Sequence, residues 1–164
     1  MEYLFMKKTP LNGLRLLSAC ILLMFASGVE PLHADTSTDP LNISQYKGQV
    51  IYLDFWASWC GPCRLSFPYM EQIQSYYKSK GLVLLAVNVD HSRDKADAFL
   101  ARFGPDMPVV FDSKGKIAAA YHVGAMPTSI LIDRKGHIRY VQSGFFPDQV
   151  ELYESHISGL INER

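Results

Sequence analysis

Val50-Ile51-Tyr52-Leu53-Asp54-Phe55-Trp56-Ala57-Ser58-Trp59-Cys60-Gly61-Pro62-Cys63-Arg64 is the stretch on which the reading of this chain turns. Its first half is an unbroken apolar run apart from Asp54, the pattern of a strand buried on both faces. After Cys63, Leu65, Tyr69, Met70, Ile73, Tyr76 and Tyr77 recur at helical spacing. Two cysteines separated by Gly61-Pro62 therefore fall where a strand hands over to a helix. The first sulfur lies near unpaired helix N–H groups and the positive end of the helix dipole, which favour thiolate over thiol. The second is one turn on, within reach of a disulfide. The stretch reads as a redox dithiol on a βαβ unit.

At 164 residues the chain suits one domain with a sizeable core. Lys plus Arg and Asp plus Glu both number 16, and no basic stripe runs along any helix, so a nucleic-acid partner is not expected. Residues 1–34 have the layout of a signal peptide or N-terminal anchor. Lys7, Lys8 and Arg15 form a basic region, Leu16 to Ala26 an apolar one, and small residues follow at Ala26, Gly28 and Ala34. Cleavage after Gly28 and after Ala34 both fit. The apolar run is shorter than the roughly 20 residues that span a bilayer. Leu17-Ser18-Ala19-Cys20 also has the form of a lipoprotein box, but the strongest apolar run follows Cys20 instead of preceding it. Cys20 is read as a small apolar residue of the leader.

Without residues 1–34 the chain loses three basic and two acidic residues, leaving 13 against 14, and keeps only Cys60 and Cys63. An exported protein stapled by structural disulfides carries more pairs at wider spacing, and so small a loop constrains the unfolded chain little. The pair is there for chemistry. Zinc needs two further soft ligands that the chain lacks, and haem attachment needs a histidine where Arg64 stands. No metal or cofactor is expected.

Residues 35–164 are read as one domain. Asp35 to Pro40 form a polar linker expected to be mobile, and Gly48 marks the turn into a strand over 49–56. A helix over 61–80 carries Pro68 in its interior. A buried strand over 82–89 follows, then a helix over 93–103 with N-cap candidates at Asp90, Ser92 and Asp94. A short strand at 109–111, a short helix over 117–123 and strands at 128–133 and 137–142 follow, the last two joined by a hairpin turn at Arg134-Lys135-Gly136. A helix over 148–162 closes the domain. The order βαβαβαββα predicts an α/β three-layer sandwich, a mixed sheet with helices on both faces.

Asp54-Phe55-Trp56-Ala57-Ser58-Trp59-Cys60-Gly61-Pro62-Cys63 resembles the active-site signature of the thioredoxin superfamily. Ala125-Met126-Pro127-Thr128 resembles its cis-proline segment. The additional strand and helix ahead of that proline, together with Tyr46-Lys47-Gly48 and Leu131-Ile132-Asp133-Arg134-Lys135-Gly136-His137-Ile138, resemble the exported TlpA/ResA-like thiol-disulfide oxidoreductases. The likeness covers about residues 41–162. One position departs from it. Many of these proteins carry Glu three residues after the second cysteine, where this chain has Ser66, which weakens assignment to the cytochrome c maturation subgroup.

The resemblance implies roles. Cys60 is the nucleophile, with an exposed sulfur and the lower pKa, and Cys63 resolves the mixed disulfide. Asp54 matches a buried acid whose raised pKa suits proton exchange with Cys63; the alternative is a carboxylate that is hydrogen-bonded and takes no part. Pro127, if cis, sets the Met126 backbone opposite Cys60, where an extended client pairs as an added strand. Met126 is either a polarisable client contact or a packing residue. Trp59, Gly61 and Pro62 flank the dithiol at the surface, and Trp56 packs inside. His91, His122, His137 and His156 show no ligand spacing and read as structural.

The expected function is an exported reductase of protein disulfides, in the bacterial periplasm or at the outer face of the membrane. Its partners are protein disulfide or thiol clients and a membrane-bound thiol electron donor, and a monomer is expected. The alternative is a thioredoxin-fold holdase whose dithiol tethers clients without turnover. A thiol peroxidase fits less well, because peroxidatic cysteines seldom lie in a Cys-x-x-Cys.

Overall fold

Parallel pairing fixes the centre of the sheet. In the computed structural model, which describes residues 39–104 and 107–163, β1 (Val50–Trp56) and β2 (Leu82–Asn88) run parallel in register from Val50 opposite Leu82 to Trp56 opposite Asn88. β3 (Val109–Phe111) adds in parallel to β2. On the other side β4 (Thr128–Ile132) pairs antiparallel with β1, and β5 (Ile138–Ser143) antiparallel with β4. The order is β3-β2-β1-β4-β5, a mixed sheet as expected. The leader read over residues 1–34 lies outside the described residues.

Side chains alternate across the strands, and both faces of β1 are covered. Val50, Tyr52 and Trp56 pack toward α1 (Cys63–Tyr77), α2 (Arg93–Phe103) and α4 (Val150–Asn162), through Phe67, Met70, Ile73, Phe99, Ile157 and Leu160. Ile51, Leu53 and Phe55 pack toward α3 (Lys116–Ala120) and the single turn Ile43–Tyr46, through Ile117, Ala118, Leu41 and Ile43. These are the three layers. By the same alternation Asp54 shares the α1 face with Tyr52 and Trp56.

Several boundaries move for local reasons. The helix expected over 61–80 begins at Cys63, and its last turn tightens to a 3-10 turn over Lys78–Lys80, ended by Gly81 at φ 95°. Pro68 stays within α1, on its exposed side. The helix expected over 117–123 ends at Ala120, because His122 turns left-handed at φ 55°. The linker is anchored from Asp39 onward: its carboxylate accepts from the Leu41 and Ile43 amides and from the Tyr121 hydroxyl. Asp90 is not the cap of α2. Ser92 takes that position, with no side-chain cap bond, and Asp90 binds elsewhere.

The hairpin turn carries a second duty. Asp133 Oδ1 accepts from the Lys135 and His137 amides and shapes the turn. The Arg134 guanidinium then reaches the Gly48 carbonyl at 2.6 Å, the Ile161 carbonyl at 2.9 Å and the Lys80 carbonyl at 3.5 Å. One cation thus ties the entries of β1 and β2 to the end of α4, at the edge of the sheet away from the dithiol.

Candidate active site

The dithiol occupies the end of the sheet where β1 gives way to α1. Cys60 and Cys63 are joined as a disulfide with their Cα atoms 5.4 Å apart. Pro62 precedes the first helical residue, and the Cys63 amide, the leading N–H of α1, points at Cys60 Sγ from 3.2 Å. A helix N-terminus aimed at a sulfur stabilises its thiolate. The expected exposure of Cys60 needs correction. The residue is only 3% exposed, against 0% for Cys63, because both pack within the apolar cluster that holds Trp56, Ala57 and Phe67.

That loop is held by residues whose role was not visible in the chain. Asp90 accepts from the Ser58 amide at 2.8 Å and the Ser58 hydroxyl at 2.9 Å, and the Asn88 side-chain amide steadies the same carboxylate at 2.8 Å. Trp59 is thereby turned outward, 68% exposed, while Trp56 is wholly buried, its ring 5.0 Å from Phe67 and 4.9 Å from Phe99. Gly61 and Pro62 are exposed beside Trp59. These three form the rim of the site.

The Met126–Pro127 peptide bond is cis. Thr128, the next residue, pairs with Phe55, which puts Pro127 at the same end of the sheet as the 57–62 loop. The Thr128 hydroxyl bonds the Ala125 carbonyl at 2.8 Å, and the Pro127 carbonyl accepts from the Gly144 amide at 2.8 Å. Half-buried Met126 packs against the cluster that contains both cysteines.

Ser66 fills the place where many TlpA/ResA-like proteins carry Glu. It is 1% exposed and donates to the Cys63 carbonyl at 3.1 Å. The polar position behind Cys63 is therefore neutral and satisfied.

Asp54 is fully buried. Its Oδ1 accepts from the Ser129 hydroxyl at 2.8 Å, and Ser129 accepts from the Tyr52 hydroxyl at 2.9 Å. Oδ2 has no hydrogen-bond partner among the described residues. Desolvation pushes the Asp54 carboxyl up to about 7, opposed only by the Ser129 bond. Burial, with the Asp54 charge second, also holds the Tyr52 phenol well above its usual range. The link to Ser129 spans strands 75 residues apart; the signal for it was a second polar residue within the apolar run of β4. Among the described residues no group of three His, Cys, Asp or Glu side chains gathers to hold a metal.

A family model described as Redoxin matches residues 26–157. Thiol-disulfide oxidoreductase ResA of Geobacillus kaustophilus (strain HTA426) is 38% identical over 102 residues, covering 62% of this chain and 59% of that one. ResA of Bacillus subtilis (strain 168) is 36% identical over 110 residues, covering 67% and 62%. The chain thus spans about three fifths of the length of these curated relatives. Among solved structures, a Chlorobium tepidum protein assigned as a thiol:disulfide interchange protein DsbE matches at 47% identity with a TM-score of 0.71, covering 73% of this chain and 85% of that one. The sheet order, the cysteine pair and the match over residues 26–157 converge: the chain has a thioredoxin-like fold and belongs to the Redoxin family.

Proposed function

We propose that this protein is a thiol-disulfide oxidoreductase that reduces protein disulfides through Cys60 and Cys63. The observation that carries the reading is the Cys60–Cys63 pair at the N-terminus of α1, with the Cys63 amide directed at Cys60 Sγ. In the reduced protein the Cys60 thiolate attacks one sulfur of a client disulfide, forms a mixed disulfide and expels a client thiolate. Cys63 then gives its proton to Asp54 and attacks Cys60 Sγ. The second client thiolate leaves and the Cys60–Cys63 bond closes. The client gains two electrons, and the dithiol loses them.

The rim of Trp59, Gly61 and Pro62 and the cis Pro127 segment suit an extended client strand laid across the pair, with Met126 as the adaptable contact. A membrane-bound thiol donor returns the electrons. The basic and apolar leader over residues 1–34 supports an extracytoplasmic location, as a cleaved signal or an anchor. No helix among the described residues is long and apolar enough to cross a membrane.

Insulin reduction with dithiothreitol as donor tests this reading. Wild-type protein is expected to accelerate it, and Cys60→Ser to fall to the rate of the donor alone. Cys63→Ala is expected to accumulate a mixed disulfide with the client on a non-reducing gel. Turnover that survives Cys60→Ser overturns the mechanism. Client capture with no turnover in the wild type favours a tethering holdase.

A further inference from the structure

The pair Tyr52 and Ser129 has no part in the mechanism so far, yet it joins the buried carboxylate to the surface. A recess of about 90 Å³ opens between β4, β5 and α4, and Tyr52 and Ser129 stand in its wall with Leu131, Phe145, Tyr140 and His156. The Tyr140 and His156 rings stack at 3.8 Å beside it. A recess of that size with hydroxyls in its wall takes up water readily. Asp54 is otherwise shut away: Ala86 is its neighbour on β2, and Ser129 its neighbour on β4.

Hydrogen counting orients the chain of bonds. An ionised carboxylate only accepts, so Ser129 donates to Asp54 Oδ1. Having one hydroxyl hydrogen, Ser129 must accept from Tyr52, whose hydroxyl therefore donates. Every bond points the same way, from the recess toward Asp54. Oδ2 has no hydrogen-bond partner among the described residues, so this chain of bonds leaves it open.

We propose that Tyr52 and Ser129 are a proton conduit between the recess and Asp54, and that Ser129 is the positioning residue that keeps the carboxylate in exchange with solvent. The proposal rests on the reading above that Asp54 exchanges a proton with Cys63. When a donor thiolate attacks Cys60 Sγ, the Cys60–Cys63 bond breaks and Cys63 leaves with its electron pair as thiolate. Asp54 gives it a proton from Oδ2. Water in the recess then protonates Tyr52 as Tyr52 passes its proton to Ser129 and Ser129 passes its own to Oδ1, and a half-turn of the carboxyl about Cβ–Cγ exchanges the two oxygens and resets the cycle. Each hydroxyl gains one proton and loses one. When Cys63 is the attacking sulfur, the same bonds run in reverse. The titratable groups on the elements packed over this face are Tyr52 on β1, Cys63, Tyr69 and Tyr77 on α1, Tyr153, Glu154 and His156 on α4, and Tyr140 on β5; Glu154 acts on Tyr69, and β2 and β4 bring no charge to the face. Burial holds the Tyr52 phenol neutral, so it remains a donor across the working range.

The test is stopped-flow reduction of the oxidised full chain by dithiothreitol across pH, in light and heavy water. Ser129→Ala is expected to slow the proton-dependent phase by about three- to tenfold and to move its pH midpoint upward, since the carboxylate loses the bond that lowers its pKa. Ser129→Thr is expected to restore both. Tyr52→Phe is expected to slow the phase and leave the midpoint in place, because the Ser129 bond to Asp54 survives. A Ser129→Ala protein with wild-type rate and midpoint, alongside a slowed Asp54→Asn, overturns the conduit while Asp54 keeps its role. An unaltered Asp54→Asn overturns both. Should Ser129→Ala fail to fold, a wild-type rate in Tyr52→Phe overturns the conduit.

Discussion

Burial decides what Asp54 is. A carboxyl with an ordinary value of 3.8 is raised to about 7 because its charge has no water and one hydroxyl to stabilise it. A folded pKa above the unfolded one means that the native state holds the proton more tightly, so the contribution to stability is full below about pH 4. It is lost as pH rises toward 7, and above 7 the loss levels off at on the order of 4 kcal/mol. Asp54→Asn keeps the size and removes the charge. Urea unfolding of the two proteins is expected to give a gap in favour of Asp54→Asn at pH 8 that shrinks toward pH 5. A gap independent of pH would mean that Asp54 is not the buried group described. That a native chain keeps so costly a residue in the middle of β1 fits proton exchange better than packing.

At the scale of elements, the apolar runs and the helical spacing made the strands and helices readable in chain order, including the limits of α2 at Arg93 and Phe103. What was not readable came from contacts between distant parts. Asp90 resembled a helix cap until the loop it holds, with Ser58, came into view. Ser129 and Tyr52 meet across 77 residues, and spacing along the chain carries no sign of that. The polar linker ended early because Asp39 found two amides and Tyr121. Arg134 belongs with these: a turn residue by sequence, a clamp on three carbonyls in the fold. Arg134→Ala is expected to cost about 1.5–3 kcal/mol, the range for hydrogen bonds made by a charged group, read as a lower urea midpoint. Faster amide exchange is expected at residues 48–50 and at the end of α4, with the dithiol potential unchanged. Arg134→Lys should recover little, since an ammonium does not span the three acceptors. Gly81 lies under this clamp at φ 95°, and a Cβ there would stand 3.1 Å from the guanidinium, so Gly81→Ala is expected to destabilise the same corner.

Over the whole molecule, the fold concentrates its reactive parts at one end. The parallel β1-β2 pair supplies the strand end on which the dithiol turn is built, and α1 supplies the N-terminus. The antiparallel β4 brings the cis proline back to that end and Ser129 to Asp54. The Gly61-Pro62 spacer and helix geometry could be read in the sequence; the near-complete burial of Cys60 and the neutral Ser66 contact behind Cys63 required the packed structure. Reduction of client disulfides requires that the dithiol hold its electrons loosely. Equilibrating the purified protein with graded ratios of reduced and oxidised dithiothreitol or glutathione, then counting free thiols, measures it directly. The expected result is a potential near the about −270 mV of thioredoxin, which shares the Gly-Pro spacer; a value near the about −120 mV of the oxidant DsbA would contradict the reductase assignment.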